Sequence, residues 1–201
     1  NPQLVTLENS GKSITSYAPT FGAYQVNSAY HRRVAFPSEL GNSTSRQLHN
    51  ACANQMPALV VPVGSTEQHG PHLPLDTDTR IATAVADAVA ARLRAGNGSP
   101  WLVAPAIGYG ASGEHEGFAG TVSIGTAVLA ELLNRDELPT AAMSIDDFYL
   151  PHAERQQLAR TVHPLLATRG VPGTHDVELA QAVIDSLADA GSTQVPVFDK
   201  A

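Results

Sequence analysis

The sequence predicts an α/β protein in three layers, with a mostly parallel sheet that carries helices on both faces. Short apolar runs alternate with segments of helical periodicity from residue 58 onward, and this alternation is typical of parallel sheets. The chain has 201 residues, of which 43% are hydrophobic. It is therefore long enough to bury the core of one such domain.

Four apolar runs are the predicted strands, and they cover residues 58–63, 101–107, 139–145 and 193–198. Segments with apolar residues at helical spacing predict helices over residues 79–94, 124–134, 151–162 and 176–190. Residues 1–56 are rich in Asn, Ser, Thr and Gly and predict a loop-rich N-terminal arm. Residues 57–201 are predicted to form a single domain.

Composition excludes several classes of function. The chain has 12 Lys and Arg against 19 Asp and Glu, which argues against a surface for nucleic acid or anionic membranes. Its apolar runs fall short of the roughly 20 residues that a membrane helix needs, and its first residues lack a signal-peptide pattern. A single cysteine, Cys52, excludes an intramolecular disulfide and a thiolate metal cluster. These features predict a cytoplasmic protein.

The segment VGSTEQHGPHLPLDTD (residues 63–78) concentrates groups that bind metals. Five imidazole or carboxylate side chains fall within twelve residues, namely Glu67, His69, His72, Asp76 and Asp78. The segment follows a predicted strand and precedes a helix, so it lies at the carboxyl edge of the sheet, where α/β proteins place their sites. Imidazole and carboxylate together suit Zn²⁺ or Mn²⁺. The alternative is a polar loop whose His and Asp side chains cap turns.

Two segments resemble the creatininase family. Residues 63–78 resemble its metal-binding motif, and SGEHEGFAGTVS (residues 112–123) resembles its second motif, with Ala119 where the family usually has proline. The resemblance extends over residues 27–134 and is greatest to the branch of mycofactocin-precursor peptidases, which remove a short C-terminal piece from a precursor peptide. It implies a homo-oligomer, because creatininase relatives commonly form multimers.

The resemblance also implies site residues. Glu67, His69 and Asp78 would bind one or two Zn or Mn ions, and Asp78 would be able to bridge two of them. His115 or Glu114 would move a proton to the leaving nitrogen, although capping of the turn explains both residues equally well. The implied activity is metal-dependent hydrolysis of an amide C–N bond in a small-molecule or peptide substrate. We further consider His72 as a ligand and Asp76 as a residue that orients a ligand histidine.

The back of the chain resembles another family. The Asn-Gly-His-Gly-Gly-Asn type of loop that provides a further metal ligand in creatininases is missing after Asn134. Instead, residues 138–201 resemble P-loop D-glycerate kinases through SIDDFYL (144–150), HPLLATRGVPGTHD (163–176) and PVFDK (196–200). The resemblance implies that Asp146 and Asp147 serve Mg²⁺ or an acceptor hydroxyl. A phosphate-binding loop requires Gly-x₄-Gly-Lys, but Thr6 stands where Gly11-Lys12 needs its partner glycine.

We therefore interpret the chain as a composite, with a creatininase-like front half (57–134), a kinase-like back half (138–201) and a join near residues 134–138. One hypothesis is that Asp146 or Asp147, with His175, completes a metal site of mixed origin. The alternative is that the two aspartates cap the following turn. Three functions stay open: an amidohydrolase with full or vestigial activity, a non-catalytic α/β domain, and a glycerate-type kinase.

Overall fold

The computed structural model describes residues 3–8, 38–53, 56–97, 100–133, 140–187 and 192–198. The strands are β1 (Gln3–Glu8), β2 (Ala58–Val60), β3 (Trp101–Val103) and β4 (Ser192–Val197), and the helices are α1 (Ser45–Cys52), α2 (Thr77–Asn97), α3 (Thr126–Leu133), α4 (His152–Thr161) and α5 (Val177–Leu187). Within these ranges, no helix combines the length and apolar character that crossing a bilayer requires. The chain divides into two compact units, residues 12–132 and residues 1–11 with 133–201.

In the unit of residues 12–132, α2 packs on a parallel pair of strands. β2 pairs with β3 in the register Ala58↔Trp101. The pairing continues irregularly to a bridge between Val63 and Ile107, because Pro62 has no N–H for a regular ladder. The core contains Ala86 and Ala90 of α2 and Val103 of β3. Burial of these small side chains holds the first turn of α2 near the ends of both strands.

The unit of residues 1–11 and 133–201 has its own antiparallel strand pair and core. β1 pairs with β4 from Gln3↔Val197 to Glu8↔Ser192. Phe148 belongs to a 3₁₀ turn over Ile145–Phe148, and it packs with Val183 of α5 and Val195 of β4. This cluster links the turn, the helix and the strand through apolar contacts.

The structure confirms the α/β class and the helical predictions, with helix ends that differ by up to three residues. Two strand predictions need correction. One mostly parallel sheet was predicted, but the described strands form one parallel and one antiparallel pair. β1 lies in the segment predicted as a loop-rich arm, and its partner β4 is distant in sequence, so local pattern gave no sign of the pairing. Most of the remaining arm lies outside the described residues.

The predicted strand at 139–145 is also wrong, because residues 140–144 form no strand. Ser144 accepts a hydrogen bond from the Asp146 N–H, and Asp147 accepts one from the Ser144 N–H. Such local bonds compete with strand pairing. Residues 141–145 are exposed, so this apolar run gains little from burial that would offset the competition.

Arg155 is a buried cation on α4, with only 6% of its surface exposed. Its Nε donates to the Leu150 carbonyl at 3.1 Å and its Nη1 donates to the Ala167 carbonyl at 2.9 Å. Leu150 precedes α4, and Ala167 ends the 3₁₀ turn over Pro164–Ala167. The guanidinium therefore joins both flanks of the helix with charge-assisted hydrogen bonds.

We expect Arg155→Lys to lower the free energy of unfolding of this unit by about 1–3 kcal/mol, because an ammonium cannot replace both donors of the fork. Urea unfolding followed by circular dichroism measures the change. Arg160→Lys is the matched control, since Arg160 is exposed on the same helix. Equal stability of the two variants would contradict the proposed role of the fork.

Candidate metal centre

The loop between β2 and α2 is held at both ends by backbone contacts. Gly64 N–H donates to the Ile107 carbonyl at 2.9 Å, and Glu67 N–H donates to the Leu75 carbonyl at 2.9 Å. Gly64 lies so near the helix start that an added Cβ would overlap the backbone of Thr79. This close approach brings the loop beside the first turn of α2, which contains Asp78.

Three predicted ligands meet at this point. Glu67, His69 and Asp78 each offer a ligand atom, and the three atoms lie within 4.8 Å of one another. His69 Nε2 is 2.7 Å from Asp78 Oδ1, and His69 Nδ1 is 3.0 Å from the Glu67 carbonyl oxygen. The side chain of Glu67 is only 14% exposed. The loop thus folds back so that Glu67 and His69, two positions apart, meet Asp78 in the first turn of α2.

The contacts of His69 orient its ring. The carbonyl of Glu67 accepts a hydrogen bond from Nδ1, and Asp78 Oδ1 accepts one from Nε2, so two oxygen acceptors fix the orientation of the ring. Partial burial lowers the pKa of His69, but the hydrogen bond to Glu67 and the charge of Asp78 outweigh that effect and raise the pKa above its ordinary value. The ring is thus held with Nε2 directed at Asp78, and a bound cation would take the place of the proton on Nε2.

This donor set fits a divalent cation. One imidazole nitrogen and two carboxylates are ligands that Zn²⁺ accepts, and three protein ligands are the number that catalytic zinc sites use. Two carboxylates with a partly buried member repel each other unless a cation lies nearby. Glu67, His69 and Asp78 would therefore bind the ion.

The second predicted motif contacts the ligand loop at several points. His115, on the 3₁₀ turn over Gly113–His115, places Nε2 at 3.6 Å from Glu67 Oε1. Thr121 Oγ1 accepts a hydrogen bond from the Gln68 N–H at 3.3 Å. Val122 N–H donates to the Thr66 carbonyl at 2.9 Å. The structure thus brings His115 to the triad.

The other residues predicted in the two motifs are not among the converging ligands. Glu114 and His72 are exposed and are not among the three converging ligands. Asp76 accepts a hydrogen bond from Arg80 Nε at 2.9 Å, and this bond lowers the pKa of the Asp76 carboxyl. Asp76 therefore pairs with an arginine, rather than with a ligand histidine.

Asp146, Asp147 and His175 belong to the other unit, so their contribution to a mixed metal site stays a prediction. Asp147 accepts hydrogen bonds from the N–H groups of Ser144 and Phe198, and the bond from Ser144 caps the 3₁₀ turn, as the alternative predicted. His175 stacks on Tyr149 with ring centroids 4.3 Å apart. Burial lowers the pKa of His175, against an opposing effect of Asp146.

Thr121 and Tyr149 were not singled out from the sequence, although they contact predicted site residues or their neighbours. Thr121 lies in the second motif, but a threonine near the end of a glycine-rich loop gives no sign that its hydroxyl holds Gln68. Tyr149 follows the predicted aspartate pair, and its ring contacts both His175 and Phe198. Burial, followed by the charge of Asp146, raises the pKa of Tyr149.

The comparisons with known proteins find two kinds of relative. Residues 41–136 match the family described as "Creatininase: Creatinine amidohydrolase". We refer to residues 41–136 as the creatininase-family segment, after the family that they match. A mycofactocin precursor peptide peptidase of Mycolicibacterium smegmatis is 67% identical over 108 residues, which cover 54% of this chain and 42% of that protein. The chain spans about two fifths of the length of the curated creatininase-family relatives that it matches.

A second kind of relative supports the kinase resemblance. An uncharacterized kinase, mug58, of Schizosaccharomyces pombe is 35% identical over 86 residues, which cover 41% of this chain and 31% of that protein.

A crystal structure of creatinine amidohydrolase is 26% identical to this chain, with a TM-score of 0.38. The match covers 65% of this chain and 41% of the chain in that structure. A score this low supports no conclusion about the creatininase-family segment.

We expect Gly64→Ala to destabilise the creatininase-family segment by about 1–3 kcal/mol, because the new methyl group must displace the first turn of α2. Urea unfolding followed by the fluorescence of Trp101, which lies in the same unit, measures the change. Gly117→Ala is the control, since a Cβ at that position meets no atom within 4 Å. A Gly64 variant as stable as the control would show that the close approach is not required.

We expect His175→Phe to reduce the loss of stability that the other unit shows on acidification. The lowered pKa of His175 means that, below its ordinary value of 6.5, the unfolded chain binds a proton that the folded chain does not, so stability decreases as the pH falls. Calorimetric melting at pH 7 and pH 5 tests this, with His152→Phe as a control at an exposed position. An equal shift of Tm on acidification in the wild type and the His175 variant would contradict the expectation.

Proposed function

We propose that the chain binds Zn²⁺ or Mn²⁺ through Glu67, His69 and Asp78 and hydrolyses an amide bond of a peptide. The single observation that carries the proposal is the convergence of these three ligand atoms within 4.8 Å. The peptide substrate is supported by the names of the relatives, which are peptidases of a precursor peptide. Because the chain spans less than half of those relatives, the activity of the whole relative is part of the proposal.

The residues of the site divide into ligands and their neighbours. A divalent cation, when bound, lowers the pKa of coordinated water and stabilises negative charge on a carbonyl oxygen. Glu67, His69 and Asp78 hold it, and the carbonyl of Glu67 fixes the ring of His69. For transfer of a proton to the leaving nitrogen we propose Glu114, because its carboxylate is exposed while His115 faces Glu67.

Phosphoryl transfer is not proposed, although a kinase is among the relatives. Backbone N–H groups of a glycine-rich loop must surround the phosphates, and the sequence has Thr6 where the first glycine of that loop is required. The segment around Gly11 lies outside the described residues. A cytoplasmic location and a homo-oligomeric state also stay predictions.

We expect the purified chain to contain one or two Zn or Mn ions, and Glu67→Gln/His69→Ala to contain only traces. The double variant removes a carboxylate charge and the one nitrogen donor of the triad, so the cation loses most of its ligands. Elemental mass spectrometry after dialysis against metal-free buffer measures the content.

The matched control is Glu116→Gln/His72→Ala, which removes the same two residue types from exposed positions in the two motifs. It should retain the metal. Trace metal in the wild type would reject the proposal and favour a non-catalytic α/β domain. With metal present, hydrolysis of a peptide amide that a chelator abolishes would support the amidohydrolase activity, and metal without hydrolysis would support a vestigial site.

A further inference from the structure

We propose that His115 is a positioning residue, which holds the carboxylate of Glu67 in the orientation that binds the cation. This inference rests on the proposed metal function and deepens it. It assigns to the second motif a task other than proton transfer: the motif would pre-organise the ligands provided by the first motif.

The imidazole of His115 lies beside the carboxylate of Glu67. His115 Nε2 lies 3.6 Å from Glu67 Oε1, and the two side chains are 30% and 14% exposed. This separation is an ion-pair distance and is longer than a hydrogen bond, so a small rotation of Glu67 is enough to form one. A carboxylate has two oxygens. One can accept a hydrogen bond from His115 while the other faces the cation, and ligating carboxylates are commonly held in this way.

The other ring nitrogen of His115 determines which tautomer the neutral ring adopts. His115 Nδ1 is buried and has no hydrogen-bond partner among the described residues. A hydrogen on Nδ1 would be a buried donor without an acceptor, which is costly. The neutral ring therefore carries its hydrogen on Nε2, and that hydrogen is directed at Glu67. The burial pattern thus selects the tautomer that can donate to the ligand.

Local hydrogen bonds and a ring contact hold the turn that carries His115. The backbone N–H of His115 donates to the Ser112 carbonyl at 2.9 Å, and the Phe118 N–H donates to the His115 carbonyl at 3.0 Å. The ring also contacts Phe118, with centroids 6.0 Å apart. Farther along the same loop, Thr121 holds the N–H of Gln68. The loop therefore contacts the ligand segment at the side chain of Glu67 and at the backbone of the next residue.

Direct ligation is the main competing role for His115. The group of side chains whose ligand atoms all approach within 4.8 Å contains Glu67, His69 and Asp78. His115 contacts one member of that group and lies outside it. The arrangement therefore favours a partner of a ligand over a fourth ligand.

The test compares His115→Phe with His115→Gln in the full chain. Phe keeps a ring of similar size beside Phe118 but has no donor, whereas the amide of Gln can replace the donor at Nε2. The measurement is the affinity for Zn²⁺ by competition with a chromophoric chelator. We expect His115→Phe to bind zinc about 10–100-fold more weakly than the wild type. His115→Gln should recover most of the lost zinc affinity, and Glu116→Gln should bind zinc as tightly as the wild type does.

A second measurement separates positioning from ligation. With Co²⁺ in place of zinc, the visible absorption bands report the ligand set. A positioning role predicts the same band positions in the wild type and in His115→Gln at saturating cobalt, and unchanged thermal unfolding of both variants without metal. Shifted bands in both variants would make His115 a ligand and overturn the inference.

The possible failures are distinguishable. If the wild type binds zinc and His115→Phe binds it equally well, the positioning role is wrong and the proposed function stands. If Gln does not rescue the affinity that Phe loses, the donor is not what matters, and the positioning role is again wrong. If the wild type itself binds neither zinc nor cobalt, the proposed function fails, and the inference fails with it.

Discussion

The close packing of Gly64 against the first turn of α2 is the constraint on which the candidate metal centre depends. A side chain at residue 64 would overlap the backbone of Thr79, so glycine allows the loop to return to the helix that carries Asp78. The core beneath keeps α2 in place through Ala86 and Ala90, which contact Val103 of the neighbouring strand. The small residues Gly64, Ala86 and Ala90 let the helix approach the loop and the strands closely. The geometry of the ligands is thus a consequence of packing several residues away from them.

Electrostatics then limits what this geometry can hold. Two carboxylates and an imidazole lie within 4.8 Å of one another, and Glu67 is only 14% exposed. Burial of a carboxylate is unfavourable unless positive charge or donors compensate for it. His69 provides part of that compensation through its contact with Asp78, and His115 provides part of it for Glu67. A divalent cation would compensate both carboxylates at once, which is why the cluster is better explained as a ligand set than as turn capping.

The sequence predicts the ligands better than it predicts the sheet, for a physical reason. Glu67, His69 and Asp78 are close in the chain, so a strand, a loop and a helix of ordinary length already place them together. The contacts of His115 and Thr121 with the loop link segments about 50 residues apart, and nothing in the local sequence pattern predicts them. The strand predicted at 139–145 was wrong for a different reason, since an apolar run becomes a strand only where a partner strand and a buried face exist. Ser144 and Asp147 instead close a local turn. β1 was missed because only β4, at the other end of the chain, gives it a partner.

The number of ligands bears on whether the creatininase-family segment needs the rest of the chain for chemistry. A catalytic zinc site uses three protein ligands and leaves a position for water, and Glu67, His69 and Asp78 meet that number without Asp146, Asp147 or His175. A single-ion site is therefore complete in ligand count within the segment, and a mixed site is not required for metal binding. A second ion would need ligands beyond this triad, and the loop that supplies one of them in creatininases is missing after Asn134. One bound ion per chain would thus agree with the triad alone, whereas two would require donors from outside it.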